Sequence, residues 1–118
     1  MPKVLVVDDA AFMRMRCVKL LKESGFETVE ASNGREAVQQ YQEQHPDAVL
    51  LDITMPDMDG LAALEAIKQY DANARVAMVT AMGQQAIVMQ ALKLGAKDFV
   101  VKPFEPGRVL GALKRLLG

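Results

Sequence analysis

Cysteine is almost missing from this chain. Cys17 stands alone, so no disulfide can form within the molecule, and the usage fits a reducing cytoplasm. Nothing reactive lies beside it in sequence, so it reads as a small core hydrophobe. No apolar run approaches the roughly 20 residues of a membrane span. Met1-Pro2-Lys3 leads straight into an apolar segment without the pattern of a signal peptide. An excess of one charge is also lacking. The net charge of −1 argues against general binding to nucleic acid or to an anionic membrane. No linker, internal repeat or low-complexity stretch interrupts the chain. With 51% hydrophobic and 25% charged residues over 118 positions, the expectation is one cytoplasmic domain, residues 1–118, without an output domain.

What is present is an alternation of short apolar runs and amphipathic stretches. Lys3 to Val7 is apolar and ends in Asp8-Asp9. Ala10 to Ser24 reads as a helix with Met13, Cys17, Leu20 and Leu21 on one face, stopped by Gly25. Phe26 to Ala31 is a second strand, and Arg35 to Gln44 a second helix with Ala37, Val38 and Tyr41 inward. Ala48 to Leu51 is a third strand ending in Asp52. Pro56 and Gly60 then mark a loop before a helix over Leu61 to Tyr70. Arg75 to Val79 is strand four, ending at Thr80. Gln84 to Leu94 is helix four, stopped at Gly95. Asp98 to Val101 is strand five, ending at Lys102-Pro103. Pro106 to Leu117 is the last helix, softened by Gly111 at a cost of roughly 1 kcal/mol against Ala. Runs this short and this apolar read as buried parallel strands. Five strands alternating with five helices predict an α/β fold, the flavodoxin-like doubly wound parallel sheet with strand order 2-1-3-4-5.

Ligands of open α/β sheets bind outside the carboxyl ends of the strands. Asp8, Asp9, Asp52, Thr80 and Lys102 all fall at such ends, so the topology brings distant residues to one edge. Carboxylates gathered there repel, each pair by about 4 kcal/mol at 4 Å and an effective dielectric near 20. The repulsion calls for a cation, and an all-oxygen ligand set favours a hard one such as Mg²⁺. Lys102 adds a point charge suited to a phosphoryl oxygen, and Thr80 adds a hydroxyl donor. A carboxylate nucleophile, a metal, a lysine and a hydroxyl form a phosphoryl-transfer site, with Asp52 as the acceptor.

These residues resemble the receiver domain of two-component response regulators. Asp8-Asp9, Asp52 with Met55-Pro56-x-x-x-Gly60, Thr80-Ala81 and Lys102-Pro103-Phe104 stand in the order and spacing of that family, and the resemblance covers the whole chain. Gly34 to Ala37, Thr80 to Ala86 and Gly95 to Phe104 are most similar to the chemotaxis members. The resemblance implies that Asp9, Asp52 and the backbone carbonyl of Thr54 ligate Mg²⁺, with Asp8 acting mostly through metal-bound water. It implies that Lys102 pairs with the phosphoryl group, that Thr80 turns toward it and that Phe99 swings inward. A tyrosine often stands where Phe99 does, so any hydroxyl-dependent contact is lost. The Lys102-Pro103 bond is expected to be cis. Thr54 and Met82 match the sites flanking the attacking water, and Met82 can neither order nor activate it. The implied partners are a CheA-like histidine kinase, the flagellar motor switch protein bound by the helix four–strand five–helix five face, and a phosphatase acting on the phosphorylated regulator. The protein would be no enzyme beyond its own phosphoryl transfer and dephosphorylation.

Other readings stand beside this one. An aspartyl phosphatase needs a second acid two residues after the nucleophile, where this chain has Thr54. A flavin or nucleotide carrier needs a Gly- or Ser/Thr-rich loop after strand one, where Asp8-Asp9-Ala10-Ala11 would repel phosphate. A receiver of another phosphorelay differs only in pathway. Asp57 and Asp59 read as loop carboxylates, Asp59 also capping helix three, and His45 as an exposed helix end. Met13, Met15, Met78 and Met89 read as packing rather than a binding stripe, with adaptable contact surface from the methionines of helices one and four as the alternative. Phe99 taken alone reads as core, and Lys97, Arg108, Lys114 and Arg115 as an ordinary solvated face rather than a basic rim on the strand-five and helix-five side.

Overall fold

A strand covered on both faces has no polar side to declare. β3 (Ala48–Asp52) is buried at all five positions, the last of them the carboxylate. In the computed structural model, which describes residues 1–53, 59–81, 84–102 and 105–118, β3 lies at the centre of a parallel sheet. Its neighbours are β1 (Lys3–Val7) and β4 (Val76–Ala81). β2 (Glu27–Ala31) and β5 (Asp98–Lys102) form the edges, in the order β2-β1-β3-β4-β5. The flavodoxin-like expectation holds.

Alternate side chains of each strand point to opposite faces. Leu5, Val7, Val49, Leu51, Val76 and Met78 join one buried layer with Ala37 and Tyr41 of α2 (Gly34–Gln44) and Leu64 and Ile67 of α3 (Gly60–Tyr70). Val88 and Ala91 of α4 (Gln85–Lys93) belong to the same layer. Val4, Val6, Leu50 and Val100 join the other, with Cys17, Val18 and Leu21 of α1 (Ala11–Glu23) and Val109, Leu113 and Leu116 of α5 (Pro106–Leu117). Cys17 packs as the small hydrophobe expected. Burial pushes its thiol up to about 12, with the Asp8 charge adding to the effect. α2 and α3 are joined by Tyr41, whose hydroxyl donates to Asp71 Oδ2 at 2.7 Å.

Caps follow local chemistry. Asn33 Oδ1 accepts from the Glu36 amide and Asp59 Oδ1 from the Ala62 amide. His45 is exposed and ends α2 in the left-handed region at φ 47°. The reading of the methionines as packing needs correction in part. Met15 and Met89 are exposed at 64% and 56%, so they do not pack in the core and instead add contact surface on α1 and α4; Met78 is buried. Lys97, Arg108, Lys114 and Arg115 are all exposed, as a solvated face requires; Lys97 and Arg115 line a cleft at the amino ends of β4 and β5, apart from Arg108 in the first turn of α5. α5 runs unbroken through Gly111.

Candidate phosphoryl-transfer site

Each strand that ends in a polar residue ends on the same edge. β1 stops at Val7 and the chain turns through Asp8, whose Oδ1 accepts from the Ala10 amide at 2.9 Å. Arg14 Nη1 donates to the Asp8 carbonyl at 2.7 Å, holding the turn from α1. β3 carries Asp52 as its last residue. Parallel register sets β1 against β3 at Val7 and Leu51, one step before the two carboxylates. Asp8 and Asp52 are both 5% exposed, and Asp9 stands in solvent beside them. One carboxylate oxygen from each of Asp8, Asp9 and Asp52 lies within 4.8 Å of the others.

Lys102, the last residue of β5, reaches across the edge. Its Nζ lies 2.9 Å from Asp8 Oδ2 and 3.2 Å from Asp52 Oδ2. Burial alone would lower the Lys102 pKa; the hydrogen bond to Asp8 and the charges of Asp52 and Asp8 outweigh it, and the net shift is upward. Three carboxylates and one ammonium leave two negative charges at this corner, which matches a divalent ion. The donors are all hard oxygens, as Mg²⁺ requires, so Asp8, Asp9 and Asp52 fit the metal the sequence calls for.

Thr80 lies within β4 rather than at its end, since the strand continues to Ala81. It is buried, and its Oγ1 donates to Gln84 Oε1 at 2.8 Å. Phe99 is half-buried on β5, opposite Met78 in register, and lines with Thr80 a cavity of about 460 Å³ beneath α4. The site thus gathers Asp8, Asp9, Asp52 and Lys102, with Thr80 and Phe99 alongside. The expectations for Thr54, Met82, Pro103, Phe104 and Asp57 lie outside the described residues.

Two contributors were not singled out by the sequence as parts of this site. Gln84 was read only as a helix residue. Gly60, read as a loop marker, is the first residue of α3, and its amide donates to the Ile53 carbonyl at 2.8 Å. A Cβ there would sit 2.2 Å from the Asp52 carbonyl oxygen and 2.6 Å from Ile53 Cα. Only glycine lets α3 start this close to the backbone of Asp52. The signal was in the motif, but the contact depends on the fold.

Comparison with known proteins agrees with this geometry. Residues 4–114 match the model of the response regulator receiver domain. The chain is 56% identical to the chemotaxis protein CheY of Bacillus subtilis over 116 residues, covering 98% of this chain and 97% of that one. It is 53% identical to CheY of Thermotoga maritima, covering 97% and 96%. Among solved structures it is similar to CheY of Borrelia burgdorferi, determined in a complex with CheX, BeF3 and Mg²⁺. That match has a TM-score of 0.93 at 39% identity and covers 98% of this chain and 89% of that one. An acidic pocket at the carboxyl edge of a 2-1-3-4-5 sheet, bridged by a lysine from the fifth strand, therefore belongs to a member of the response regulator receiver domain family.

Proposed function

We propose that this receiver domain is a phosphorylation-dependent switch of the chemotaxis type, working in the cytoplasm. One observation carries the reading: Lys102 bridges Asp8 and Asp52 at a corner where three carboxylate oxygens converge. An Asp52 carboxylate oxygen attacks the phosphorus of a donor, the bond to the donor's leaving group breaks, and an aspartyl phosphate forms. Asp8, Asp9, Asp52 and the Thr54 carbonyl would hold Mg²⁺, which when bound neutralises charge on the phosphoryl oxygens. Lys102 then exchanges Asp52 for a phosphoryl oxygen while keeping Asp8. Transfer of this kind depends mainly on positioning and charge neutralisation.

A CheA-like histidine kinase is the proposed donor. Thr80 and Phe99 carry the change to the face formed by α4, β5 and α5, which binds a protein target. The identity to CheY sequences supports a flagellar motor switch protein as that target and a CheY phosphatase as the partner that ends the signal. The Borrelia relative, held with CheX, BeF3 and Mg²⁺, supports the same metal here. Slow hydrolysis of its own phosphoryl group is the one further reaction assigned to the protein.

Intact mass after incubation with Mg²⁺ and acetyl phosphate tests this reading. One base-labile phosphoryl group is expected, absent without Mg²⁺ and absent in Asp52→Asn. Uptake that persists in Asp52→Asn would move the acceptor elsewhere.

A further inference from the structure

Thr80 is where the proposed switch leaves the phosphoryl site, and a second side chain already occupies its hydroxyl. Thr80 Oγ1 has two acceptors in reach, Gln84 Oε1 at 2.8 Å and the Ala81 carbonyl at 3.1 Å, and the nearer Gln84 oxygen takes its proton; the Ala81 backbone N–H donates to the same Gln84 oxygen at 2.8 Å. An N–H can only donate, so the atom facing it is the amide oxygen, and the orientation of the Gln84 amide is set by its partners. A hydroxyl has one proton to give. While Gln84 accepts it, a phosphoryl oxygen on Asp52 cannot.

Gln84 is also the residue at the start of α4, yet its side chain does not cap that helix. It turns back to the end of β4 instead. One amide thus ties the switch hydroxyl, the last amide of β4 and the first turn of α4 together. The cavity beneath α4, lined by Thr80, Gln84, Val88, Met89 and Phe99, leaves room beside the tie for these groups to rearrange.

We infer that Gln84 is a positioning residue that latches Thr80 in its unphosphorylated orientation, so that phosphorylation must break this bond before the α4 face can change. The inference rests on the switch proposed above. It assigns to this chain a brake, set by the length and the acceptor oxygen of one side chain. Losing a neutral hydrogen bond of ordinary strength corresponds to about a tenfold change in the ratio of the two Thr80 orientations.

Three-bond couplings of Thr80 report its χ1 populations by NMR in the full chain, without any need for phosphorylation. In unphosphorylated Gln84→Leu the second Thr80 rotamer is expected to rise about tenfold relative to wild type. Gln84→Asn keeps the amide but is one methylene too short, and it is expected to behave like Gln84→Leu. Gln84→Glu keeps the acceptor oxygen and adds charge, so it is expected to hold the wild-type rotamer at least as firmly. Equal rotamer populations in wild type and in both shortening or apolar variants would overturn the latch. So would Gln84→Glu behaving like Gln84→Leu, because packing rather than the acceptor would then be responsible. Intact mass after acetyl phosphate, run on the same samples, judges the aspartyl reading separately: a chain that takes up no phosphoryl group defeats that reading, while the couplings still decide whether Gln84 holds Thr80.

Discussion

The two ends of the sheet differ in how they treat charge. At the carboxyl end, Asp8 and Asp52 are buried against each other and share one lysine. At the amino end, Lys68, Arg75, Lys97 and Arg115 line a polar cleft, with most of their charge in solvent. Lys68 there rests its ammonium on backbone carbonyls, donating to Ala74 at 2.7 Å and Ala72 at 3.2 Å. Arg115 pairs with Asp98 beside it. The amino end spreads like charges and loses little. The carboxyl end concentrates them, which destabilises the fold locally and is the setting of the divalent ion and phosphoryl group proposed for this site.

Glycines expose the contrast most strongly. Gly60→Ala drives a Cβ into the backbone of Asp52 and Ile53, which cannot move without moving the proposed phosphoryl acceptor. A loss of about 3 kcal/mol is expected, read as a lower urea midpoint together with impaired phosphoryl uptake. Gly95, in the turn before β5, has φ +112°, and its Cβ would meet the end of the flexible Lys68 side chain. Gly95→Ala therefore loses about 1–2 kcal/mol from backbone strain, with phosphoryl uptake intact. Equal losses at the two positions would break the contrast.

Removing each end's anchored lysine comes next. Lys102→Met leaves two buried carboxylates without their cation, an expected loss of about 2 kcal/mol at neutral pH in metal-free buffer, partly restored by Mg²⁺. Lys68→Met forfeits two hydrogen bonds to backbone carbonyls, one on exposed Ala72 and one on buried Ala74. About 1 kcal/mol is expected, with no response to Mg²⁺ beyond that of wild type. Thermal unfolding with and without Mg²⁺ separates the two.

Alkaline titration sharpens the contrast in sign. The pKa of Lys102 is raised, so its contribution to stability is complete below the usual lysine value of 10.5 and is lost as pH rises through the raised one. Lys68 is the reverse. Burial and the Lys97 charge lower its pKa, so its ammonium is a cost that is relieved as pH rises toward 10.5. Across the alkaline range, stability is expected to fall less steeply in Lys102→Met than in wild type, and more steeply in Lys68→Met. Parallel slopes for all three chains would count against the assignment. The smallest effect belongs to Arg115→Ala. Its ion pair with Asp98 leaves the Arg115 side chain 55% exposed, and a loss under about 1 kcal/mol is expected, shrinking with added salt.

Much of this was readable before any coordinates. The β1 and α5 bounds agree between sequence and structure, because an apolar run flanked by polar residues and a proline at a helix start are local signals. Asp59 caps α3 as its position before the apolar face required. Other features escaped. Val18 is buried where Met13 was expected to be, since the rotation of α1 on the sheet selects the inward face. Met15 and Met89 are apolar by type and exposed by placement. Gln84 is an ordinary helix-start glutamine until β4 stands close enough to supply Ala81 and Thr80.

Fold class, strand order and the identity of the acidic edge follow from patterns a few residues long, because side-chain period and burial are written locally in the chain. The sharing of Lys102 between Asp8 and Asp52, the closeness of Gly60 to the Asp52 backbone and the hold of Gln84 on Thr80 do not. Each is a distance between side chains on different elements, set by sheet register and helix docking, and a change of an ångström would remove it.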